Sequence, residues 1–594
     1  MAGGLLLRSR YQREHLPARA AAGRRRLTCA IALCGVLGGL TLAATPAAAD
    51  PPLAPNDPTR ALPPSPSQSA PLDVHAGEVT GGPQDTTTRL VLRGVEFDGA
   101  RTVPQDRLRA AWTPYADKPV SLADLRAIGR RAEQIYTRAG YPFVAVVLRV
   151  QQVKDGVVHY DVVEGHISDL TVLGSSRTAR RQATAALSPL VDKSPLPLSA
   201  VEQAYQSAKN VPGLSVSGTL RRGSQPGGMD LVVATQRQEW RSYANVNDLY
   251  ADPVGPWGVL FGLDHFGNSQ YGDELSGQIY TSVPFGRQVL ARGSYAYRLN
   301  ASGTTVTISG LWGHANPKSA LSLLAIAQDV ASIRLDVAQP LWDRPDAKFQ
   351  VDLALEGSDQ RTNVFSSIRL SDDRLRDLSF TFAGEKHTPL GRLAISGEIR
   401  DDLDILGASH PGDPELSRFG ADPQATILRG GLEAETRTFE YLRIDVRLDS
   451  QWANHALTIP DQYSAGNLTV GRGYQPGSAL GDRALAGSAE LRIGPFDVAQ
   501  KKLQVEPFLF TDVVDLWNIG PAAFGHRQLQ SVGGGVRFHV NGKAHLDLMG
   551  AAPLVPALGL GDRTPAPTVL MNLTFTLDDA FSAIHRKLFH GGGS

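Results

Sequence analysis

"KFQVDLALEG" runs from Lys348 to Gly357 and alternates at every step. Phe349, Val351, Leu353 and Leu355 fall on one face; Lys348, Gln350 and Asp352 fall on the other. A period of two marks an extended strand, whose successive side chains point to opposite faces. The pattern recurs. "LRIDVRLDSQW" sets Leu442, Ile444, Val446 and Leu448 against Arg443, Asp445, Arg447 and Asp449. "VLMNLTFTLDD" sets Val569, Met571, Leu573, Phe575 and Leu577 against Asn572, Thr574 and Thr576. From Trp240 to the C-terminus, helical periodicity almost vanishes. A soluble sandwich or propeller also alternates. Here, however, one face carries charges of both signs and the other carries large aliphatic and aromatic groups, the division a membrane barrel with a wet lumen needs. Allowing about 20 residues per strand and connection, 239–594 has room for an antiparallel transmembrane β-barrel of about 16 strands.

The N-terminal region supports export. Arg24, Arg25 and Arg26 precede an apolar run that ends in Ala47-Ala48-Ala49, the order of a secretory signal peptide. The expected leader is 1–49, cleaved after Ala49; a single anchoring helix is the competing reading. The only two cysteines, Cys29 and Cys34, lie in that leader, so the mature chain forgoes disulfides. No later segment reaches about 18 uninterrupted apolar residues, which leaves a barrel or surface attachment as the membrane options. Lys+Arg and Asp+Glu both number 59 across the 594 residues, and this balance removes the bulk electrostatic case for a nucleic-acid partner. Residues 50–88 are rich in proline and serine and form an expected extended, semi-rigid linker.

Between linker and barrel, a β-α-α-β-β order occurs twice, over 89–166 and 167–238. In the first copy, "RLVLRGVEFDGA" is a strand. A helix follows, with Ser121 as N-cap, Asp124 three residues on and Gly140 as its end, and then a hairpin that turns at Asp155-Gly156. In the second, "HISDLTVLGS" leads into a helical "RTARRQATAALSPL" and a helix with a Ser199/Glu202 capping box. Two strands joined through Gln225-Pro226-Gly227-Gly228 complete it. A repeat of this kind is a fold-level signal.

"TVGRGYQPGSALGDRALAGSAELR" (Thr469–Arg492) is the glycine-rich stretch most open to a functional reading. Gly471, Gly473 and Gly477 give G-x-G-x-x-x-G, which misses the dinucleotide fingerprint. The next segment alternates, so no helix N-terminus is present to bind phosphate. No cofactor is expected. Two readings remain: a surface turn with Arg472 in solvent, or a loop folded back into a lumen. In the second, the guanidinium needs a carboxylate, and Asp512 in "VEPFLFTDVVDLW" offers one.

At these residues the chain resembles a family. Gly471-Arg472-Gly473-Tyr474, followed by Gly481-Asp482 and "AELR", resembles the V-R-G-Y signature on the sixth extracellular loop of an outer-membrane superfamily. That superfamily includes barrel assembly factors and two-partner secretion transporters. "PFLFTDVVD" resembles the partner-strand motif, with Asp512 at the aspartate that receives the loop arginine, and "LQSVGGGVRF" resembles the next strand's glycine motif. The β-α-α-β-β units resemble polypeptide-transport-associated (POTRA) domains, with "GYPFVAVV" and "DVVEGHI" in the first and "NVPGLSVSGTLRRG" in the second.

The resemblance implies a Gram-negative outer-membrane pore of the hemolysin/filamentous hemagglutinin secretion-activation type, with periplasmic POTRA domains. Such a pore binds a large secreted exoprotein through those domains and exports it without a nucleotide. It also implies contact with outer-membrane lipids and with the barrel assembly machinery during biogenesis. Three features depart from the family pattern. Gly471 stands between Val470 and Arg472; 50–88 is proline-rich where relatives often carry a plug helix; and the chain runs past its last strand, with Phe575 and Phe581 as candidate terminal aromatics.

No catalytic constellation is expected. The 14 histidines lack a metal-ligand spacing. His314 and His545 are read as polar lumen or loop residues, and Asp372-Asp373 and Asp401-Asp402 as solvated turns. A barrel assembly factor and a passive porin are the alternatives to secretion.

Overall fold

The computed structural model describes residues 72–75 and 90–578, apart from 192, 250–253, 318–324, 366, 440, 499–501, 521–524 and 558–562. The expected leader, most of the expected linker and Phe581 lie outside these residues.

Sixteen antiparallel strands close into one barrel, and the first, Trp240–Asn247, pairs with the last, Thr568–Thr576. The twelfth strand is drawn in two pieces, Arg483–Ile493 and Phe496–Val498, which both pair with the thirteenth, Leu503–Trp517. Burial along the strands is inside out. In the seventh strand, Ala347–Val364, Leu353 and Leu355 are 51% and 42% exposed, whereas Asp352 and Glu356 are only 8% and 7% exposed. Apolar groups thus face outward and charged groups fill the interior, as a barrel in hydrocarbon requires. No helix among the described residues is long and apolar enough to cross a membrane.

Two α/β units precede the barrel. In the first, strands β2 (Leu90–Val91), β3 (Gly94–Asp98), β4 (Pro119–Val120), β5 (Ala145–Leu148) and β6 (Val157–Val163) pack with helices α1 (Gln105–Trp112) and α2 (Leu122–Arg138). The sheet order is β3-β6-β5. Expected strand Arg89–Ala100 is split at Leu92, whose carbonyl instead accepts from Asp117 N–H. The Ser121/Asp124 capping box forms in full. The second unit contains β7 (His166–Leu173), α3 (Arg177–Leu187), α4 (Leu198–Lys209), β8 (Leu214–Arg222) and β9 (Gly228–Arg237). Here the expected Ser199/Glu202 capping box does not form. The N-cap of helix α4 lies two residues earlier, at Pro197, and Leu198 N–H donates to Gly140 O of the first unit. A contact between units supplies what the serine was expected to give.

The linker contributes a strand. Segment β1 (Asp73–His75) lies parallel to β8, the outer strand of the second sheet, and Leu72 packs on that unit's core.

The second unit sits on one rim of the barrel. Arg237 donates to Phe266 O at 2.7 Å and to Gly267 O at 2.5 Å, and Gln182 Nε2 donates to Ser269 O at 2.9 Å. Arg298 donates to Ser207 O at 2.8 Å, and Asn210 Nδ2 donates to the Asp343 carboxylate at 2.6 Å. These contacts define a near rim. Loops 403–425, 454–482 and 518–525, each leaving a strand at its other end, define the far rim.

Phe143 of the first unit is buried in the core of the second, so the two are packed together. Nearby, Glu164 accepts from Thr102 N at 2.7 Å, Arg101 N at 3.0 Å and the Tyr136 hydroxyl at 3.0 Å. Burial pushes its carboxyl up, but these donors outweigh burial and hold it below the usual value. Its stabilising contribution is therefore complete above the unfolded value and is lost as pH falls through the lowered one. Glu164→Ala is expected to cost about 1–3 kcal/mol at neutral pH, because the half-buried Thr102 N–H and the hydroxyl of buried Tyr136 lose their acceptor. Faster hydrogen exchange over 90–165 in the full chain, relative to wild type, measures that loss, and the difference should shrink in acid.

Candidate functional site

The eleventh strand, Leu442–Ala453, leads into the far-rim loop 454–482. This loop folds inward rather than away from the barrel. It carries a short hairpin, Tyr463–Ala465 with Ala479–Gly481, and its tip is Gly471 to Tyr474. Gly471 has φ +114°, in the left-handed region that disfavours side chains. A Cβ on Gly473 would lie 2.8 Å from Pro553 N and 2.8 Å from Ser531 Cβ, so the backbone passes tightly against the wall.

Three neighbouring strands shape the seat. In register, Ser488 pairs with Asp512 and Asp512 with Ser531; two residues nearer the units, Glu490 pairs with Phe510 and Phe510 with Gly533. The spacing is S-x-E, F-x-D and S-x-G on successive strands, so all six positions share the lumen face. Arg472 lies over this patch. Its backbone N–H donates to Asp512 Oδ2 at 2.8 Å, Nε to the same oxygen at 3.1 Å and Nη2 to Asp512 Oδ1 at 2.8 Å. Its Nη1 reaches Glu490 Oε2 at 2.5 Å and its Nη2 reaches Ser488 Oγ at 2.7 Å. The guanidinium also stands 3.6 Å from the centre of the Phe510 ring. Gly533 makes room for that ring: a Cβ there would come within 2.5 Å of Phe510 Cζ.

Asp512 is 1% exposed, and Ser488 and Ser531 also donate to it at 2.8 Å and 3.2 Å. A carboxylate this buried is tolerated because its acceptor sites are filled. Tyr474, 2% exposed, places its hydroxyl 2.9 Å from both the Gln530 and the Val555 carbonyl oxygen, which share its one proton and pin the residue after Gly473.

The structure brings all five sequence-selected residues, Gly471, Arg472, Gly473, Tyr474 and Asp512, into one cluster. Glu490, Ser488, Ser531 and Phe510 were not selected. Their signal was the alternation itself, which puts Ser488 and Glu490 on one face, two residues apart. Glu490 also binds Arg492 Nε at 2.8 Å and Arg537 Nη1 at 2.6 Å, linking the seat to the mixed-sign charges below it.

Two sequence readings need correction. Asp372 and Asp373 are not solvated turn residues: they lie within the eighth strand, Ile368–Thr388, at 8% and 1% exposure. Loop 403–425 folds over them, with Ser417 N donating to Asp373 Oδ1 at 3.0 Å. Asp402 is 5% exposed at the end of the ninth strand, Gly391–Asp402, and is held by Arg400 Nε at 3.0 Å. His314 meets Asp329 at 2.7 Å, and His545 faces His539 across two strands at 3.0 Å.

A closed sixteen-stranded barrel with an inward arginine loop, preceded by β-α-α-β-β units, is an outer-membrane protein of the POTRA-plus-barrel class. Comparison with known proteins narrows the class. Residues 90–165 match the family model "POTRA domain, ShlB-type", and 324–538 match "Haemolysin secretion/activation protein ShlB/FhaC/HecB". These matches mark the chain as an outer-membrane transporter of two-partner secretion, with POTRA domains on the periplasmic side. The near rim is therefore periplasmic and the far rim extracellular. Solved structures agree in fold. CdiB from Escherichia coli is 16% identical, with TM-score 0.69 over 86% of this chain and 94% of its own. CdiB from Acinetobacter baumannii is 13% identical, with TM-score 0.58 over 93% and 97%. No curated protein sequence matches the chain.

Gly473→Ala is expected to unseat the tip, because the backbone it would strike cannot swing aside. Trypsin added to the outer face of intact cells should then cut after Arg472 in the variant and leave the wild-type loop whole.

Proposed function

We propose that the pore receives an extended partner exoprotein through its POTRA domains, 89–166 and 167–238, and passes it through the barrel, 239–594. The loop tip Gly471–Tyr474 acts as an internal lock. The observation that carries this reading is the seat of Arg472: a buried aspartate, a buried glutamate and an aromatic face converge on one loop arginine inside the lumen. A passive porin needs no such seat. Breaking one partner of a buried ion pair typically costs about 3–5 kcal/mol, enough to shift a closed loop decisively. No nucleotide takes part; folding of the cargo outside the cell drives export. A leader over 1–49 carries the chain across the inner membrane, 50–88 links it to the first POTRA domain, and the barrel assembly machinery inserts it among outer-membrane lipids.

Strand addition at a sheet edge is the physical route for capture. The two candidate edges differ. Strand β8 already pairs with the linker strand β1 over Thr219–Arg221. On β5, the cover described is one bond, from Val146 N–H to the Glu133 carboxylate at 3.1 Å. One bond is easier to displace than a packed strand, which favours β5 as the docking edge.

The closed seam favours secretion over barrel assembly. The first and last strands pair only across Tyr243–Asn247, but side chains brace the joint. Asn245 Nδ2 donates to Asn572 Oδ1 at 2.7 Å, and Asp248 Oδ1 and Asp578 Oδ1 accept from Met571 N at 2.6 Å and Ser242 N at 2.7 Å.

Arg472→Ala is expected to abolish release of the partner into the medium while the barrel still inserts, as judged by heat-modifiable migration. Normal release by that variant removes the lock from the mechanism. A photo-crosslinker at Leu148 on β5 should capture the exoprotein during export, and one at Thr219 on β8 should not; the reverse pattern moves the docking edge.

A further inference from the structure

Arg472 is not the only arginine that holds the inward loop. Asp482 closes that loop just before the twelfth strand, and it is completely buried. Its Oδ1 accepts from Arg418 Nη1, from Leu457 N at 3.0 Å and from Gln462 Nε2 at 3.0 Å; its Oδ2 accepts from Ile519 N at 2.6 Å. These donors come from three separate loops. Arg418 belongs to 403–425, Leu457 and Gln462 to the descending leg of 454–482, and Ile519 to 518–525. Arg418 binds across the same junction in return: Nη1 donates to Leu457 O at 3.2 Å and Nη2 to Ile519 O at 2.7 Å. Neighbouring bonds reinforce it. Asp422 N donates to Ala456 O at 2.7 Å, Ile459 N donates to Ser417 Oγ at 3.0 Å, and Asn518 Nδ2 donates to Leu480 O at 3.1 Å.

The junction is separate from the lumen seat. Arg472 ties the loop tip to strands twelve and thirteen, whereas Arg418 ties the loop base to its neighbours at the extracellular rim. A buried carboxylate satisfied by donors from three loops couples them, because parting any one strands a charge without its partners. An exported chain must cross this rim after passing the tip.

We propose that the Arg418–Asp482 ion pair is a second, outer latch, which must part for the exported chain to leave the barrel. Both are positioning residues: they hold loops and need not touch the cargo. This inference rests on the secretion reading above for its final step, but its first test needs no cargo. Purified full-length protein carrying Arg418→Ala, with Arg472 intact, is placed in a planar lipid bilayer. Its open-state occupancy is expected to rise about tenfold, as loss of a two-state constraint of this kind produces. Arg418→Lys keeps the charge but loses the two-pronged fork, and should fall between the variant and wild type. Conductance of Arg418→Ala equal to wild type would overturn the latch.

A second variant keeps Arg418 and Asp482 and covers the case in which Arg418→Ala does not fold. Ser417→Cys with Ile459→Cys, in a chain whose Cys29 and Cys34 are replaced by serine, joins 403–425 to the inward loop by a disulfide. With the disulfide formed, both channel opening and export are expected to fall about tenfold, and reductant should restore them. A cross-linked chain that opens like its reduced form would show a fixed anchor in place of a latch. If opening responds as expected but no exoprotein is exported under any condition, the secretion reading fails and the latch stands.

Discussion

Hydrocarbon offers nothing to an unpaired backbone N–H or C=O, and the architecture follows from that constraint. A strand sheet in the outer membrane must bond every edge, so the first and last strands have to meet. Closure around sixteen strands leaves an interior too wide for side chains alone to fill. That interior must be polar because it is wet, and it must be obstructed because an open hole would leak. Both demands fall on the inward faces of the strands and on the loop that folds between them.

The obstruction is held by packing and by charge together: Ala465, Val470 and Tyr474 of the loop share a buried apolar cluster with Val514, Leu516 and Leu529 of the wall. Apolar packing is non-directional, whereas a planar guanidinium binding one carboxylate with two prongs fixes both position and orientation. The surroundings of Arg472 show how the barrel makes such a bond possible. Serines on either side complete the coordination of Asp512, and a phenylalanine forms the floor. The missing side chain at Gly533 makes space for that floor. The glycines flanking Arg472 serve close backbone passage, which is why the stretch looks like a phosphate loop in sequence and behaves as a plug tip in space.

Much of this was legible in the residues. Alternation such as that of Lys348–Gly357 gave the strands, and the mixed-sign polar face gave the barrel. The Ser121/Asp124 cap and the Asp155-Gly156 turn were readable because local chemistry decides them. What was missed depends on chain segments far apart. The Ser199/Glu202 cap was displaced by Gly140 of the other unit, a contact no local window contains. Asp372-Asp373 looked solvated because paired acids usually are, and only the fold of 403–425 reveals the cover above them. The β1 strand was hidden in a proline-rich stretch, since its partner β8 lies more than a hundred residues away. Glu490 follows the same rule: its importance comes from three arginines on different segments that meet at one carboxylate.

The paired charges lining the lumen carry a further consequence. Arg334 with Glu356, Arg429 with Glu398, Arg392 with Glu433 and Arg537 with Asp547 form ion pairs along the wall. Each such pair weakens the field of its members, so a polypeptide gliding past these positions meets paired charges in place of lone ones. Adhesion is the hazard for any conduit that must release what it carries, and charges already bound to one another grip acidic and basic stretches less.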